Sequence, residues 1–246
     1  MRYFIVFSYD GTAYHGWQYQ PNALSVQQKL QEALSVLMQR SVCIVGAGRT
    51  DTGVHARMMA AHFDTADAVD PARLTFKLNC LLPCDIAVSR VVPVAADAHA
   101  RFSAMSRTYR YYISLDKDPF GSRYSTRLYY TPDFDKMNQA AALLSHYTDF
   151  GSFCKAHSDN KTNICHGSHA RWESMGAERH YFEITADRFL RNMVRAIVGT
   201  LLDVGRGRLS LSQFEAVVRR GDRCTAGDSV PAQGLFLENI EYPFEV

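Results

Sequence analysis

The sequence predicts an α+β protein in which two similar αβ halves share one mixed, largely antiparallel central sheet, with a cleft between the halves. Three observations lead to this prediction. Residues 2–9 alternate as a strand does, and a helical pattern follows them. Residues 181–184 form a second strand pattern that also leads into a helical pattern. Strands and helices are interspersed along the chain. We expect the N-terminal half to comprise residues 1–105 and the C-terminal half residues 106–246.

The first half begins with a strand that should be buried. Residues 2–9 are rich in aromatic and β-branched side chains, which favour strands, and Asp10-Gly11 ends the run. Ser25 and Gln28 have the spacing of a capping box, so a helix should begin there. The apolar residues of this helix recur at helical spacing, and further strands and a helix should follow. The helix residues are Val26, Leu30, Ala33, Leu34 and Leu37; the later strands are 42–46, 57–64 and 85–93; the later helix runs from Pro71 to about Leu82.

The second half repeats this order of elements. A strand pattern opens it, and its last helix should present one apolar face. A segment rich in Pro, Gly, Ser and charge lies near the middle of the chain, where it could be a hinge, a substrate-contacting loop or an ordinary surface loop. The predicted elements are strands at 108–114, 163–175 and 178–185, a helix at 135–144, a loop at 116–132, and a helix with Phe189, Met193, Ile197 and Leu201 on one face.

Charge placement is more informative than total charge. The 246 residues carry a formal net charge of only +2, yet the arginines and lysines concentrate in two groups. Such groups can bind a phosphate backbone, and they can equally be solvated surface. The first group is Arg101, Arg107, Arg110, Lys117, Arg123 and Arg127; the second is Arg188, Arg191, Arg195, Arg206 and Arg208.

Targeting and metal signals are weak. Tyr9 and Asp10 interrupt the apolar core that a signal peptide would need, and no apolar run approaches a membrane span, so we expect a cytoplasmic protein. The six cysteines lack paired spacing, which favours reduced thiols. Five potential zinc ligands lie within one short segment, but their spacing matches no common zinc pattern, so we predict no metal site. They are Cys154, His157, Cys165, His166 and His169.

The segment from Gly46 to Arg57 is the strongest candidate for a functional loop. Three glycines, two arginines, a histidine and the single carboxylate of Asp51 follow an apolar run. Polar loops that follow a strand commonly present a nucleophile or base. Each candidate side chain also has a structural interpretation, since Asp51 could cap a turn, Tyr109 could be a core aromatic and Arg195 a solvated helix residue.

Several ordered segments together identify the chain as similar to the tRNA pseudouridine synthase A (TruA) family. The resemblance covers essentially the whole chain. Residues 48–56, GRTDTGVHA, resemble the family signature; residues 100–104 and 107–111 resemble its tyrosine motif; residues 189–195 with 197–199 resemble its basic motif; residues 9–18 and 232–237 also agree.

This resemblance implies a reaction and a partner. The reaction is isomerisation of uridine to pseudouridine at positions 38, 39 and 40 of the tRNA anticodon stem-loop, by cleavage of the N1 glycosidic bond and rejoining of the base through C5. No cofactor is implied. The resemblance also implies the pseudouridine synthase fold and a homodimer.

The resemblance further implies roles for individual residues. Asp51 is the expected nucleophile, although it could instead act through an unsaturated sugar intermediate. Arg195 is the expected ion-pair partner of Asp51, because a guanidinium offers a permanent, two-pronged charge to a buried carboxylate. Tyr109 is expected to stack on the target base and could accept its C5 proton. Arg49 should fill the space that the flipped uridine leaves.

The remaining candidates are expected to contact the substrate RNA, mainly through its backbone. They are His55, Arg57, Arg107, Arg110 and Arg191. Two alternatives stay open from the residues themselves: a catalytically inert RNA-binding protein, and a small-molecule enzyme that uses Asp51 as a base. A pure RNA-binding protein would form no pseudouridine, so Asp51→Ala would change no activity. A small-molecule enzyme would show little salt-dependent affinity for RNA.

Overall fold

The computed structural model describes residues 1–155 and 161–246. The strands of this part of the chain form one nine-stranded, mixed and mostly antiparallel sheet, and five α-helices accompany it. The predicted α+β class is therefore confirmed. The strands are β1 Arg2–Tyr9, β2 Val45–Gly46, β3 His55–Asp64, β4 Ile86–Val94, β5 Ser106–Ser114, β6 Thr126–Arg127, β7 Gly167–Ser174, β8 Arg179–Ala186 and β9 Leu235–Glu241. The helices are α1 Val26–Met38, α2 Pro71–Leu81, α3 Phe134–Leu143, α4 Met193–Gly205 and α5 Leu211–Arg220.

The first compact unit comprises residues Met1–Met105 and Phe236–Val246. Strand β1 lies between β3 and β4 and pairs antiparallel with both. Its alternating aromatic and β-branched residues are buried on both faces, as the sequence pattern indicated. Strand β9 pairs in parallel with β3, through His55 with Phe236 and Ala56 with Leu237. This pairing explains why the last residues belong to the first unit, although the sequence prediction assigned them to the second half.

The second compact unit comprises residues Ser106–Leu235. Strand β8 pairs antiparallel with both β5 and β7, and β6 extends the end of β5 in parallel. Helix α4 is apolar on nearly all sides and largely buried, with α3 and α5 packed against it. Because α4 is so enclosed, a polar side chain on it must have a defined partner.

The start of α4 differs from the prediction. The apolar spacing suggested that Phe189 and Arg191 belong to the helix, but α4 begins at Met193. Asn192 precedes it with a φ of 66° and a ψ of 4°, a left-handed conformation that interrupts the helix. Arg191 therefore lies on the approach to α4, whereas Arg195 lies in its first turn.

The capping box also lies elsewhere than predicted. At α1, the Ser25 side chain accepts the Gln28 backbone N–H, but the Gln28 side chain bonds Glu32 instead of reaching back. The complete capping box is at α5, between Ser210 and Gln213. Helix α5 was missed by the sequence analysis, although that box and the apolar spacing of its buried residues could have revealed it. The buried residues are Phe214, Val217 and Val218.

Candidate active site

Asp51 lies in the loop that connects β2 to β3 in the first unit. Its side chain is half-buried, and its carbonyl accepts the Val54 backbone N–H at 3.1 Å. Gly53 follows with a φ of 77°, a left-handed conformation that glycine adopts without strain. The tight turn therefore displays the carboxylate at the start of a rigid strand. Arg49, two residues earlier, is exposed.

A second segment of the first unit, residues 9–18, fixes the backbone of this loop. The Tyr9 hydroxyl lies 2.8 Å from the Thr50 Oγ1, and the Trp17 N–H donates to the Thr50 carbonyl at 3.3 Å. The Gly53 N–H donates to the Tyr14 carbonyl at 3.3 Å. These bonds hold both sides of Asp51, so residues 9–18 supply the scaffold on which the carboxylate is placed.

Two glycines allow this close approach. A Cβ on Gly11 would lie 2.0 Å from the Val54 carbonyl oxygen, and a Cβ on Gly16 would lie 2.2 Å from the Thr50 carbonyl oxygen. Neither distance is compatible with any other residue unless the backbone moves. Gly16 also has a φ of 86°. The segment thus needs glycine at both points to pack against the Asp51 loop.

His55 begins β3 and is buried, with 1% of its surface exposed. Its Nδ1 lies 3.0 Å from the Gly11 N–H and 3.0 Å from the Asp10 Oδ1. These contacts exclude each other, because one nitrogen cannot accept one hydrogen bond and donate another in the same place. The Gly11 N–H can only donate, so Nδ1 accepts from it. The Asp10 Oδ1 instead accepts from the Thr12 N–H at 2.9 Å and from the Thr12 hydroxyl at 2.5 Å. The ring also stacks on Phe236 at 4.5 Å. Its surroundings are therefore those of a positioning residue, and the predicted RNA contact of His55 stays untested.

Arg57 lies two residues further along β3, with an exposed side chain. Its Nε is 3.2 Å from a Glu238 carboxylate oxygen, and its guanidinium lies over the Phe236 ring at 5.2 Å. The ion pair and the ring define the direction of the side chain while leaving it accessible to solvent. An accessible, oriented guanidinium is suited to a phosphate.

Tyr109 lies on β5 of the second unit and is half-buried. It pairs across the sheet with Ile184 on β8, and its ring meets the Phe189 ring edge to face at 5.1 Å. An edge contact of this kind holds the ring while leaving a face of it for other contacts. Sequence alternation places Tyr109 on the same face of β5 as the fully buried Tyr111.

Two arginines flank Tyr109 on β5. Arg107 donates to the Asp187 carbonyl at 2.7 Å. Arg110 makes a 2.6 Å ion pair with Glu183 and lies over the Tyr181 ring at 4.7 Å. Alternation along the strand puts Arg107 on the Tyr109 face and Arg110 on the opposite face. Arg107 is thus better placed than Arg110 to contact a molecule held by Tyr109.

Arg195 lies in the first turn of α4 and is half-buried. Its Nε donates to the Val230 carbonyl at 2.7 Å, and the Val230 N–H donates to the Arg195 carbonyl at 3.2 Å. A Cβ on Gly199 would lie 1.8 Å from the Asp228 carbonyl oxygen, so this glycine lets the segment before Val230 approach the helix. One edge of the guanidinium is thereby fixed by the backbone.

Tyr111 is a neighbour of Arg195 that sequence reasoning did not identify. Its hydroxyl lies 2.6 Å from the Thr126 Oγ1 and donates to the Pro231 carbonyl at 2.9 Å. Burial raises the pKa of this phenol, and the positive charge of Arg195 partly opposes that rise. Tyr111 therefore ties β5 to the segment that holds Arg195. Alternation along β5 places Tyr111 on the same face as Tyr109, but it does not specify these partners.

The candidate residues form two groups, each organised within its own unit. Asp51, Arg49, His55 and Arg57 belong to the first unit, and Tyr109 and Arg195 belong to the second with the other candidate arginines. The predicted pair between Asp51 and Arg195 joins residues of different units and stays a prediction. The other candidate arginines are Arg107, Arg110 and Arg191.

The described residues contain neither a cluster of metal ligands nor a helix that could span a membrane. Within residues 1–155 and 161–246, no group of three His, Cys, Asp or Glu side chains could hold a metal ion. Cys154 and Cys165 are buried and form no disulfide, and burial raises the pKa of Cys165 to about 11. His157 lies outside the described residues. No helix in the described part of the chain is long and apolar enough to cross a membrane.

Comparison with known proteins gives consistent matches over the full chain. A family model described as tRNA pseudouridine synthase matches residues 5–103 and 140–243. The chain is 56% identical to the tRNA pseudouridine synthase A of Bacteroides thetaiotaomicron, over 100% of this chain and 92% of that protein. It is 54% identical to the protein of the same name from Parabacteroides distasonis, over 100% of this chain and 97% of that protein. It is 53% identical to the one from Bacteroides fragilis, over 100% and 98%.

Proposed function

We propose that this chain, which belongs to the tRNA pseudouridine synthase A family, acts on the anticodon stem-loop of tRNA. As a member of this family the chain is an isomerase that modifies RNA. The proposed targets are uridines 38, 39 and 40. The proposed reaction is an isomerisation without net oxidation or group transfer, and the proposal includes no cofactor.

Asp51 is proposed to be the nucleophile. In this route its carboxylate attacks C1′ of the uridine, the C1′–N1 bond breaks, and the electron pair leaves with the uracil anion. The base then turns, C5 attacks C1′ and displaces the carboxylate, and the C5 proton moves to the base nitrogen through an acid–base group or water. A second route passes through an unsaturated sugar and uses the same carboxylate. The observation that carries the proposal is the pair of bonds that fixes Thr50, directly before Asp51: its hydroxyl bonds the Tyr9 hydroxyl, and its carbonyl accepts the Trp17 N–H.

Arg195 is proposed to pair with the Asp51 carboxylate when RNA is bound. A carboxylate taken out of water by the substrate needs a cation that cannot lose its charge. The Val230 carbonyl already binds the Arg195 Nε at 2.7 Å. This bond restricts the guanidinium, so less conformational entropy is lost when Arg195 pairs with Asp51. Arg195 is thus suited to position and stabilise the nucleophile.

Tyr109 is proposed to stack on the target base. A ring that meets Phe189 edge to face can support a base during rotation without fixing one orientation, because every base offers a face to stack on. The same phenol is the proposed acceptor of the C5 proton. These two roles are separable, since Tyr109→Phe retains the ring and removes the hydroxyl.

The arginines are proposed to hold the RNA. Arg49 is exposed beside Asp51 and would occupy the space left by the flipped uridine, offsetting part of the few kcal/mol that extrusion costs. Arg57, Arg107 and Arg191 would bind phosphates, while Arg110 is already paired with Glu183. We also propose that the protein is cytoplasmic and forms a homodimer. Sedimentation of the purified protein would test the oligomeric state.

Mapping pseudouridine in tRNA tests the proposal directly. We expect tRNA from cells that lack this gene to lose pseudouridine at positions 38 to 40, and the purified protein to restore it in an unmodified transcript. Unchanged modification at these positions, or restoration only outside the anticodon stem-loop, would contradict the proposed target.

A further inference from the structure

One exposed aromatic residue of the first unit has no part in the chemistry described above. Phe102 lies in the turn of residues 98–103, just before β5, and 76% of its surface is exposed. The Arg101 guanidinium lies over its ring at 5.5 Å. Exposure alone does not mark a site, since Phe76 and Phe120 are also exposed. Phe102 calls for an explanation because the exposed ring also carries a cation and is held by the contacts described below.

Backbone hydrogen bonds hold this turn rigidly. The Ala100 N–H donates to the His62 Nδ1 at 3.1 Å, and the Tyr242 hydroxyl donates to the Ala100 carbonyl at 2.5 Å. The His99 Nδ1 accepts the Arg101 N–H at 3.1 Å and the Phe102 N–H at 3.3 Å. Every residue from Ala100 to Phe102 therefore has its backbone attached to a buried or half-buried group.

His99 of the turn and His62 of β3 are both suited to accept these bonds at neutral pH. Burial lowers the pKa of His62 to about 4, with Arg2 as a further cause. Burial also lowers the pKa of His99, helped by Arg2 and Arg101. A neutral imidazole can accept at Nδ1, whereas the protonated ring cannot. The turn is thus pre-formed before any ligand arrives.

A series of rings connects Phe102 to the core. Phe4, fully buried in β1, stacks on His62 at 6.0 Å. His62 contacts His99 at 4.6 Å, and His99 contacts Phe102 at 4.4 Å. Each ring restricts the next, so Phe102 is packed against His99 and lies under the Arg101 guanidinium, while 76% of its surface stays exposed. This arrangement fixes the exposed ring without burying it.

We propose that Arg101 and Phe102 form a contact for an unpaired nucleotide of the substrate tRNA, away from the reacting uridine. The Phe102 ring would stack on the base, and the Arg101 guanidinium would bind the adjoining phosphate. The inference rests on the proposed function for its ligand. A rigid aromatic face beside a cation is the combination that binds single-stranded nucleic acid. A protein-docking surface would need a broader apolar area, whereas the exposed side chain immediately before the turn is that of Asp97.

The test measures binding of an unmodified tRNA transcript to the full-length protein and to matched variants. Helix α2 of the same unit offers the controls, because Phe76 is 70% exposed and Arg73 is also exposed. We expect Phe102→Ala to weaken binding about tenfold and Phe102→Tyr to retain it. We expect Arg101→Gln to reduce the slope of log affinity against log salt by about 0.7 to 0.9. Phe76→Ala and Arg73→Gln should match the unaltered protein in both measurements.

Several results would overturn the inference. One is an affinity of Phe102→Ala within twofold of the unaltered protein; another is an equal loss in Phe76→Ala. A third is a change in sedimentation of Phe102→Ala without a change in tRNA affinity, which would indicate a protein interface. Pseudouridine formation by the unaltered protein is measured alongside. If that activity is present while Phe102→Ala binds normally, this inference fails and the proposed function stands; if the unaltered protein is inactive on tRNA, the proposed function fails.

Discussion

The Gly11 N–H lies 3.0 Å from the Nδ1 of the buried His55. This bond joins the turn that follows β1 to the first residue of β3, which comes directly after the Asp51 loop. A Cβ on Gly11 would also lie 2.0 Å from the carbonyl oxygen of Val54, the residue before His55. The Asp51 loop and the segment that follows β1 are therefore packed backbone against backbone, and Gly11 is required for that packing.

Gly11→Ala tests this packing. The added methyl group would overlap the Val54 carbonyl oxygen, which can move only if the backbone shifts. We therefore expect the free energy of unfolding to fall by about 2 to 4 kcal/mol. Pseudouridine formation should fall with it, because Asp51 would shift. Gly167→Ala is the control, since its Cβ would lie 3.8 Å from the Thr185 carbonyl oxygen, an ordinary contact. Urea unfolding and activity measure both variants; equal stability of the two would contradict the packing argument.

Asp51→Ala separates chemistry from binding. We expect pseudouridine formation to fall by roughly a thousandfold or more, as for removal of a nucleophile. tRNA affinity should stay within a few fold, because the proposed phosphate contacts belong to other residues. Single-turnover kinetics and filter binding measure the two effects. A parallel loss of affinity and rate would instead assign Asp51 to substrate binding.

Arg195 should be needed for turnover and much less for folding. Arg195→Met removes the charge and the bond to the Val230 carbonyl, with an expected stability cost of about 1 kcal/mol. Turnover should be nearly abolished. Arg195→Lys retains a charge without the two-pronged geometry and should recover only part of the rate. Activity that persists in Arg195→Met would exclude the proposed pair with Asp51.

Stability should depend on pH through His62. Burial lowers the pKa of His62 from 6.5 to about 4 in the folded protein, so below pH 6.5 the unfolded chain binds a proton that the folded chain does not. Stability is therefore complete above pH 6.5, falls as the pH is lowered toward about 4, and levels off below it, with a total loss of up to about 3 kcal/mol.

Urea unfolding across this pH range measures the dependence. His62→Asn supplies the control, because its amide oxygen can accept the Ala100 N–H without titrating. The variant should lose less stability than the unaltered protein between pH 6.5 and 4. The same pH dependence in both proteins would show that other groups are responsible.

The predicted salt dependence checks that phosphates are the ligands of the basic side chains. Binding of tRNA should weaken steeply between about 50 and 200 mM salt. Arg57→Gln removes an exposed, oriented guanidinium and should lower the slope of log affinity against log salt by about 0.7 to 0.9. A flat salt response of the unaltered protein would favour a small-molecule substrate instead.

Local pattern predicted most of the elements. The alternation of residues 2–9 and the Pro71 start of α2 were enough to place β1 and α2 closely. The start of α4 was misplaced, because the apolar spacing continues through Phe189 while the left-handed Asn192 interrupts the helix. Periodicity describes which side chains are apolar, and it does not reveal a single backbone residue that leaves the helical conformation.

The sequence by itself determined the α+β class, the loop around Asp51 and the family, because these depend on residue type and short spacing. The tertiary structure decided which residues meet across long separations. His55 receives the Gly11 N–H from 44 residues away, residues 236–246 join the first unit through pairing of β9 with β3, and His62 and His99 hold Phe102 in solvent. Such contacts depend on how the chain packs as a whole, and the separation of the two partners along the chain does not specify them.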